Sequence, residues 1–209
     1  MPGRRFLFAG FSLGGNVLLK WMTEAHRYPS VLGAVAVSTP FSLASCSEAL
    51  QRGASRLYGH YFRRRLIRDV EAKRRLFASQ HDNPLAAQEL EKLKALGDLQ
   101  RLKTLWEFDD QVTAPLHGFR DALDYYSQCS SGPVLAAIQR PTVLIQSAND
   151  PLIPPSSLPA RESLPAWVPL SLTLSGGHVG FTSADDPLWL ETRMEEAFMW
   201  IERQSGRTD

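Results

Sequence analysis

A short segment near the start of the chain has the residue types of an activated serine. Gly10-Phe11-Ser12-Leu13-Gly14 is a G-x-S-x-G pattern between an apolar run, Arg5 to Ala9, and a segment with helical periodicity, Asn16 to His26. This context is typical of a nucleophile elbow, in which small residues flank a strained serine whose Oγ projects from the strand–helix turn. We predict that Ser12 is a nucleophile. The backbone N–H of Leu13, at the positive end of the following helix, is the predicted oxyanion donor.

Two further polar residues have the types that would activate such a serine. A serine hydroxyl is a poor nucleophile without a base, and the base needs a carboxylate that holds it in the productive tautomer. Asp150 comes soon after the apolar run Pro141 to Gln146, and His178 soon after the apolar run Leu170 to Leu174. Ligands of open parallel sheets bind outside the carboxyl ends of the strands. We therefore predict that Ser12, Asp150 and His178 form a catalytic triad.

Strand-sized apolar runs and helical segments alternate along the chain. Val31 to Val37 is continuously apolar, which is typical of a strand buried on both faces of a parallel sheet. Ser156 to Leu164 is predicted as a short helix, and Leu188 to Ile201 as an amphipathic helix that closes the chain. This alternation predicts the α/β class with a mostly parallel sheet.

The stretch between the second and third predicted strands, about 41–139, is longer than one crossover helix requires. It has helical periodicity and few β-branched residues, and we predict that it is an inserted helical cap. Its predicted helices are Ala44 to Leu57, Arg64 to Phe77, Pro84 to Leu96 and His117 to Gln128. His117 and Phe11 are candidate residues of a substrate pocket.

Composition favours one folded domain over 1–209. The chain has 209 residues with 23 Lys+Arg, 22 Asp+Glu and a formal charge of +1, and 44% of its residues are hydrophobic. A nucleic-acid binder would normally carry a strongly basic balance, so no nucleic-acid partner is predicted. No apolar run reaches the roughly 18 residues that span a bilayer. No metal-ligand spacing occurs, and we predict no cofactor, two free cysteines and a cytoplasmic location.

Two segments leave alternatives open. Arg4-Arg5 and the apolar residues after them resemble a secretory signal, although a first strand explains them more economically. Arg63-Arg64-Arg65 begins a basic run that continues through Arg75. This run fits the solvated face of a cap helix, and weak contact with anionic lipid or nucleic acid is the alternative.

Several motifs together resemble the YheT-like family of α/β-hydrolases. They are Gly10-Phe11-Ser12-Leu13-Gly14-Gly15-Asn16, Glu107-Phe108-Asp109-Asp110, Thr113-Ala114-Pro115-Leu116-His117-Gly118-Phe119, Asn149-Asp150-Pro151 and Gly176-Gly177-His178-Val179-Gly180-Phe181. The order Ser, Asp, His is that of α/β-hydrolases. The resemblance implies a serine esterase that cleaves carboxylic esters of acyl or lipid-like substrates through an acyl-enzyme, without a cofactor.

The family also implies two alternatives. Its members have further strands before the elbow, with a His-Gly loop that offers a second oxyanion donor, so the chain is expected to be the C-terminal portion of the fold. Loss of one oxyanion donor typically costs about 10²–10³ in rate. A truncated, non-catalytic homologue is therefore one alternative to the esterase. The other is an acyltransferase, in which an alcohol takes the place of water and a new ester forms.

Overall fold

A computed structural model describes residues 4–181 and 186–205. The chain divides into two compact units. The first, called here the sheet unit, comprises Met1–Cys46 and Cys129–Asp209, and the second, the helical unit, comprises Ser47–Gln128. Parts of the predicted domain 1–209, namely 1–3, 182–185 and 206–209, lie outside the described residues.

The sheet unit contains a four-stranded sheet with the order β1-β2-β3-β4. Its strands are β1 (Phe6–Phe11), β2 (Val31–Val37), β3 (Thr142–Ser147) and β4 (Leu170–Thr173). All three pairings are parallel, so the carboxyl ends of the four strands lie at one edge of the sheet. Each strand falls on a predicted apolar run, and the predicted α/β class with a parallel sheet is confirmed.

Two hydrophobic clusters cover the two faces of β2, which explains its unbroken apolar sequence. Ala34 and Ala36 belong to a cluster with residues of α1 (Leu13–Met22). Val35 and Val37 belong to a cluster with residues of α8 (Trp189–Ser205). Side chains alternate between the faces of a strand, so a strand covered on both faces needs apolar residues at every position.

The helical unit has a core of its own. The chain between β2 and β3 forms α2 (Leu43–Ala49), α3 (Arg56–Ala78), α4 (Pro84–Ala95), α5 (Leu105–Phe108), α6 (Ala114–Leu116) and α7 (Ala122–Cys129). A π-helical turn, Asp109–Thr113, joins α5 to α6. The buried cluster consists of Ile67, Leu99, Leu102, Phe108 and Val112.

Several predicted helices differ from the structure, and the one predicted from Arg64 to Phe77 already begins at Arg56. The helix predicted at Ser156 to Leu164 is wrong, because the chain forms separate 3₁₀ turns at Pro155–Ser157 and Arg161–Ser163. Pro159 lies between the two turns and has no N–H to donate to a continuous helix.

Two more of these differences are interruptions by glycine. The helix predicted from Ala44 to Leu57 ends at Ala49, and Gly53 follows with a φ of 51°. The helix predicted from His117 starts only at Ala122, after Gly118 with a φ of 79°. A left-handed backbone interrupts a right-handed helix, and glycine adopts it at little cost.

Over the described ranges, no helix combines the length and the apolar character needed to cross a bilayer.

Candidate active site

Ser12 lies at the turn between the first strand and the first helix. β1 ends at Phe11 and α1 begins at Leu13, and Ser12 between them has φ 51° and ψ −127°. Backbone of this kind in a non-glycine residue costs on the order of 1–3 kcal/mol and is concentrated at functional sites. The N–H of Ser12 donates to the carbonyl of Val37 (2.9 Å), which ties the turn to the end of β2. The half-buried Ser12 side chain is thus held on a strained, anchored turn.

The close approach of α1 to β1 depends on two glycines. A Cβ at Gly10 would lie 2.7 Å from the carbonyl oxygen of Gly14 and 2.9 Å from the Cα of Gly15. A Cβ at Gly15 would meet the side chain of Thr39. Gly14 has no such neighbour within 4 Å. The turn therefore requires Gly10 and Gly15 for space, whereas the second glycine of the G-x-S-x-G pattern is not sterically required.

The side chains of Ser12, His178 and Asp150 lie in one hydrogen-bonded line. His178 Nε2 is 2.8 Å from Ser12 Oγ, and His178 Nδ1 is 2.8 Å from Asp150 Oδ2. Asp150 Oδ1 accepts from the N–H of Leu152 at 2.8 Å, so both carboxylate oxygens have a partner. The Asp150 side chain is fully buried, and that of His178 is 19% exposed. With the Nδ1 proton donated to Asp150, Nε2 can accept the hydroxyl proton of Ser12.

The loops that hold Asp150 and His178 are joined by a residue that sequence reasoning gave no role. Asn149 Oδ1 accepts from the N–H groups of Gly176 and Gly177, each at 3.0 Å, and from Ser147 Oγ at 2.5 Å. Asn149 thus connects the turn after β3 to the turn after β4. Its position directly before Asp150 was the only signal in the sequence.

Two more polar residues that sequence reasoning missed fix the surroundings of the site. The hydroxyl of Ser38, at the end of β2, donates to the backbone carbonyl of His178. Asn16 is buried in α1, donates to the carbonyl of Cys129 and accepts from the N–H of Ser131, both at 2.8 Å. Asn16 therefore attaches the start of α1 to the segment that leads to β3. Neither role could be assigned from the sequence, because the Asn16 contacts reach residues more than 110 positions away and the Ser38 contact depends on loop geometry.

A thiol also lies near the site. Burial raises the pKa of Cys46 to about 12, and the negative charge of Asp150 adds to this effect. The thiolate is the reactive form of cysteine. Cys46 is therefore protonated at neutral pH and is not a candidate nucleophile. Cys46 and Cys129 are both free, as predicted.

The remaining predicted site residues are placed as follows. Leu13 is the first residue of α1, so its N–H has no acceptor within the helix. Phe11 ends β1 and is 43% exposed, and His117 is exposed at the end of α6 in the helical unit. Their roles in a pocket stay predictions. Within the part of the chain that the structure describes, no three His, Cys, Asp or Glu residues are grouped to hold a metal ion.

Comparisons with known proteins show which family this chain resembles. Residues 1–183 match the family model described as alpha/beta hydrolase fold. "Putative esterase YheT" of Escherichia coli is 38% identical over 90% of this chain and 53% of its own length. Mouse phospholipase ABHD3 is 29% identical over 86% of this chain and 41% of its own, and the monoacylglycerol lipase of Saccharomyces cerevisiae is 29% identical over 86% and 39%. The chain thus spans about half the length of these relatives or less. The resemblance to YheT-like α/β-hydrolases is confirmed.

Proposed function

This chain belongs to the α/β-hydrolase fold family, and from that premise we propose that it is a serine hydrolase of carboxylic esters. The observation that carries the proposal is the line of contacts from Ser12 Oγ through the His178 imidazole to the Asp150 carboxylate, with 2.8 Å at each step. In this arrangement the base can take the hydroxyl proton and the carboxylate can orient the base, which is what nucleophilic catalysis of acyl transfer requires.

In the proposed reaction, Ser12 Oγ attacks the ester carbonyl carbon while His178 Nε2 takes the hydroxyl proton. Asp150 stabilises the imidazolium that forms and keeps the ring oriented. The C–O bond to the alcohol then breaks, and His178 returns the proton to the leaving oxygen. Water attacks the resulting acyl-enzyme in the same manner, which releases the acid and restores Ser12.

Charge on the carbonyl oxygen needs hydrogen-bond donors as the tetrahedral intermediate forms. The proposed donor is the Leu13 N–H, which lies directly after Ser12 at the N-terminus of α1. The helix dipole adds positive potential at this point. Each proposed step uses this chain's own residues, and none requires a cofactor.

The names of the relatives support the substrate class. One relative is named an esterase, one a phospholipase and one a monoacylglycerol lipase. All three names refer to enzymes that cleave an ester bond to an acyl group. We accordingly propose a small acyl ester or lipid-like ester as the substrate. That the helical unit acts as a cap, that His117 and Phe11 line the pocket and that the protein is cytoplasmic stay predictions.

Turnover of p-nitrophenyl acyl esters tests this function. We expect wild-type turnover with a burst of nitrophenol, which is the sign of an accumulating acyl-enzyme. Asp150→Asn should lower kcat by about 10⁴-fold, because the imidazole would be held in the wrong tautomer. Asp82→Asn, an exposed change outside the site, is the matched control and should retain wild-type turnover. Equal turnover by wild type and Asp150→Asn would refute the proposed role of Asp150.

The same assay separates the alternatives. If added alcohol takes up the acyl group as a new ester faster than water releases the acid, the protein is an acyltransferase. A folded wild-type chain without any turnover would instead favour the non-catalytic homologue.

A further inference from the structure

The longest helix of the described chain, α3, has a strong excess of basic residues over acidic ones. α3 has eight basic and two acidic residues, a formal charge of +6, while the whole chain has a formal charge of +1. The basic residues are Arg56, Arg63, Arg64, Arg65, Arg68, Lys73, Arg74 and Arg75. The excess charge of α3 is therefore local, and the rest of the chain is acidic on balance.

Two of these arginines have structural roles within the helical unit. Arg63 donates to the carbonyl of Leu102 at 2.5 Å. Arg74 donates to the carbonyls of Leu93 and Gly97 and pairs with Glu71 at 2.8 Å. Both arginines are half-buried on the inner side of the helix. Their guanidinium groups are used to hold neighbouring segments against α3.

Three other arginines are exposed and lie on a different face. Arg64, Arg68 and Arg75 have the spacing i, i+4 and i+11, which places them on one side of a helix. Glu71, at i+7 on that side, is half-buried and its charge is paired with Arg74. In the described part of the chain, none of the three forms an ion pair. Leu57 and Tyr61 precede them on the same side and are 76% and 60% exposed. Together these five residues are called the basic face of α3.

The basic face borders a groove with a volume of about 540 Å³. Arg64 and Arg75 are eleven positions apart, which corresponds to about 16 Å along a helix with a rise of 1.5 Å per residue. This length exceeds one phosphate group and suits a surface that presents several anionic groups in a row. Exposed Leu57 and Tyr61 next to the arginines resemble helices that lie in a membrane interface, where apolar side chains enter the lipid and basic ones meet the headgroups.

We propose that the basic face of α3 is a docking surface for membranes that carry anionic phospholipids. The charge of the three arginines is complementary to the headgroups, and the exposed Leu57 supplies an aliphatic side chain that can enter the lipid. The proposal concerns binding and does not rest on the catalytic function of Ser12.

Sedimentation of the full chain with vesicles tests the proposal. We expect binding to phosphatidylcholine vesicles that contain phosphatidylserine and much weaker binding to phosphatidylcholine alone. The triple variant Arg64→Gln, Arg68→Gln, Arg75→Gln should lower the partition coefficient on the order of a hundredfold, as expected for three basic residues near an anionic surface. These exposed substitutions should leave the circular dichroism spectrum unchanged.

A matched control removes the same charge elsewhere on the helical unit. Lys92→Gln, Lys94→Gln, Lys103→Gln changes three exposed lysines outside α3 and should leave vesicle binding close to that of the wild type. A second variant, Leu57→Ser with Tyr61→Ser, keeps every charge and should also weaken binding, because the apolar contact with lipid is lost. Equal loss in the arginine triple and the lysine triple would overturn the proposal.

Two other outcomes would also overturn it. One is the absence of any dependence on phosphatidylserine. The other is tight binding of single-stranded RNA that is lost in the arginine triple while vesicles do not bind, which would reassign the face to nucleic acid.

Discussion

The side chain of a single residue, Asn149, connects the loops that hold Asp150 and His178. Asn149 bonds three partners through one side-chain oxygen, and two of them are backbone N–H groups of the loop that ends in His178. Gly176 and Gly177 follow the end of β4, so their N–H groups have no partner in the sheet and depend on an acceptor from another segment. Asn149 is therefore a positioning residue for the imidazole.

The first prediction concerns this acceptor. Asn149→Ala should lower kcat by about 10–100-fold with little change in KM, because small displacements of a reacting group cost about 10²-fold. Asn149→Asp keeps an acceptor oxygen and should restore much of kcat. Steady-state kinetics of both variants measure this.

Asn83→Ala is the control for general loss of stability, because Asn83 caps α4 in the helical unit. A kcat for Asn149→Ala equal to that of Asn83→Ala would contradict the positioning role.

A half-buried carboxyl group in the helical unit, that of Asp109, provides a second prediction. Tyr126 Oη donates to Asp109 Oδ2 at 2.6 Å, and Thr113 Oγ1 donates to Asp109 Oδ1 at 2.7 Å. Burial raises the pKa of Asp109 above its ordinary value of 3.8. Below pH 3.8 the carboxyl is protonated in both states, and its contribution to the free energy of unfolding is complete. As the pH rises, the unfolded chain ionises first, so the contribution is lost.

We therefore expect the stability of wild type relative to Asp109→Asn to fall as the pH rises through the folded pKa of Asp109. Urea unfolding over a pH series measures the difference. Tyr126→Phe removes a donor to the carboxylate and should cost about 1–3 kcal/mol at neutral pH. Parallel stability profiles for wild type and Asp109→Asn would show that the carboxyl group does not titrate with folding.

At the level of secondary structure, the elbow between β1 and α1 can be tested by its glycines. Gly10→Ala would place a methyl group 2.7 Å from a backbone oxygen of α1, whereas Gly14→Ala meets nothing within 4 Å. Overpacking of this type costs about 1–3 kcal/mol. We expect Gly10→Ala to lose that much unfolding free energy in urea, and Gly14→Ala to fold as stably as the wild type.

The two alanine variants carry the same added methyl group, so each is the control for the other. A loss of stability in Gly14→Ala as large as that in Gly10→Ala would contradict the described packing of the elbow.

Strands were more predictable from the sequence than helix ends. Val31 to Val37 is an unbroken apolar run because both faces of β2 are covered and all seven of its residues are buried. Helical periodicity does not show where a helix stops. The helix predicted from His117 to Gln128 starts late because Gly118 adopts a left-handed backbone, which its residue type permits but does not require.

The site shows the same limit. The types and order of Ser12, Asp150 and His178 were predictable because each follows an apolar run that forms a strand. The contact between Ser38 and the carbonyl of His178 joins residues 140 positions apart and depends on two loops meeting. Periodicity carries no information about such contacts.

For the molecule as a whole, the sheet unit contains every member of the proposed triad, and the helical unit contains the basic face of α3. Each unit has its own buried apolar cluster. Catalysis and membrane docking are thus assigned to separate sets of residues. Variants of the basic face should leave the reaction of Ser12 unchanged.

Covalent labelling of Ser12 tests the central claim most directly, because it needs an activated serine but no knowledge of the substrate. The purified chain would be treated with a fluorophosphonate and its intact mass measured, beside Ser12→Ala and the exposed control Ser127→Ala. We predict one adduct on wild type and on Ser127→Ala, and none on Ser12→Ala. The account would be contradicted if the folded wild-type chain gained no adduct. It would also be contradicted if the Ser12→Ala variant were labelled as fast as the wild type.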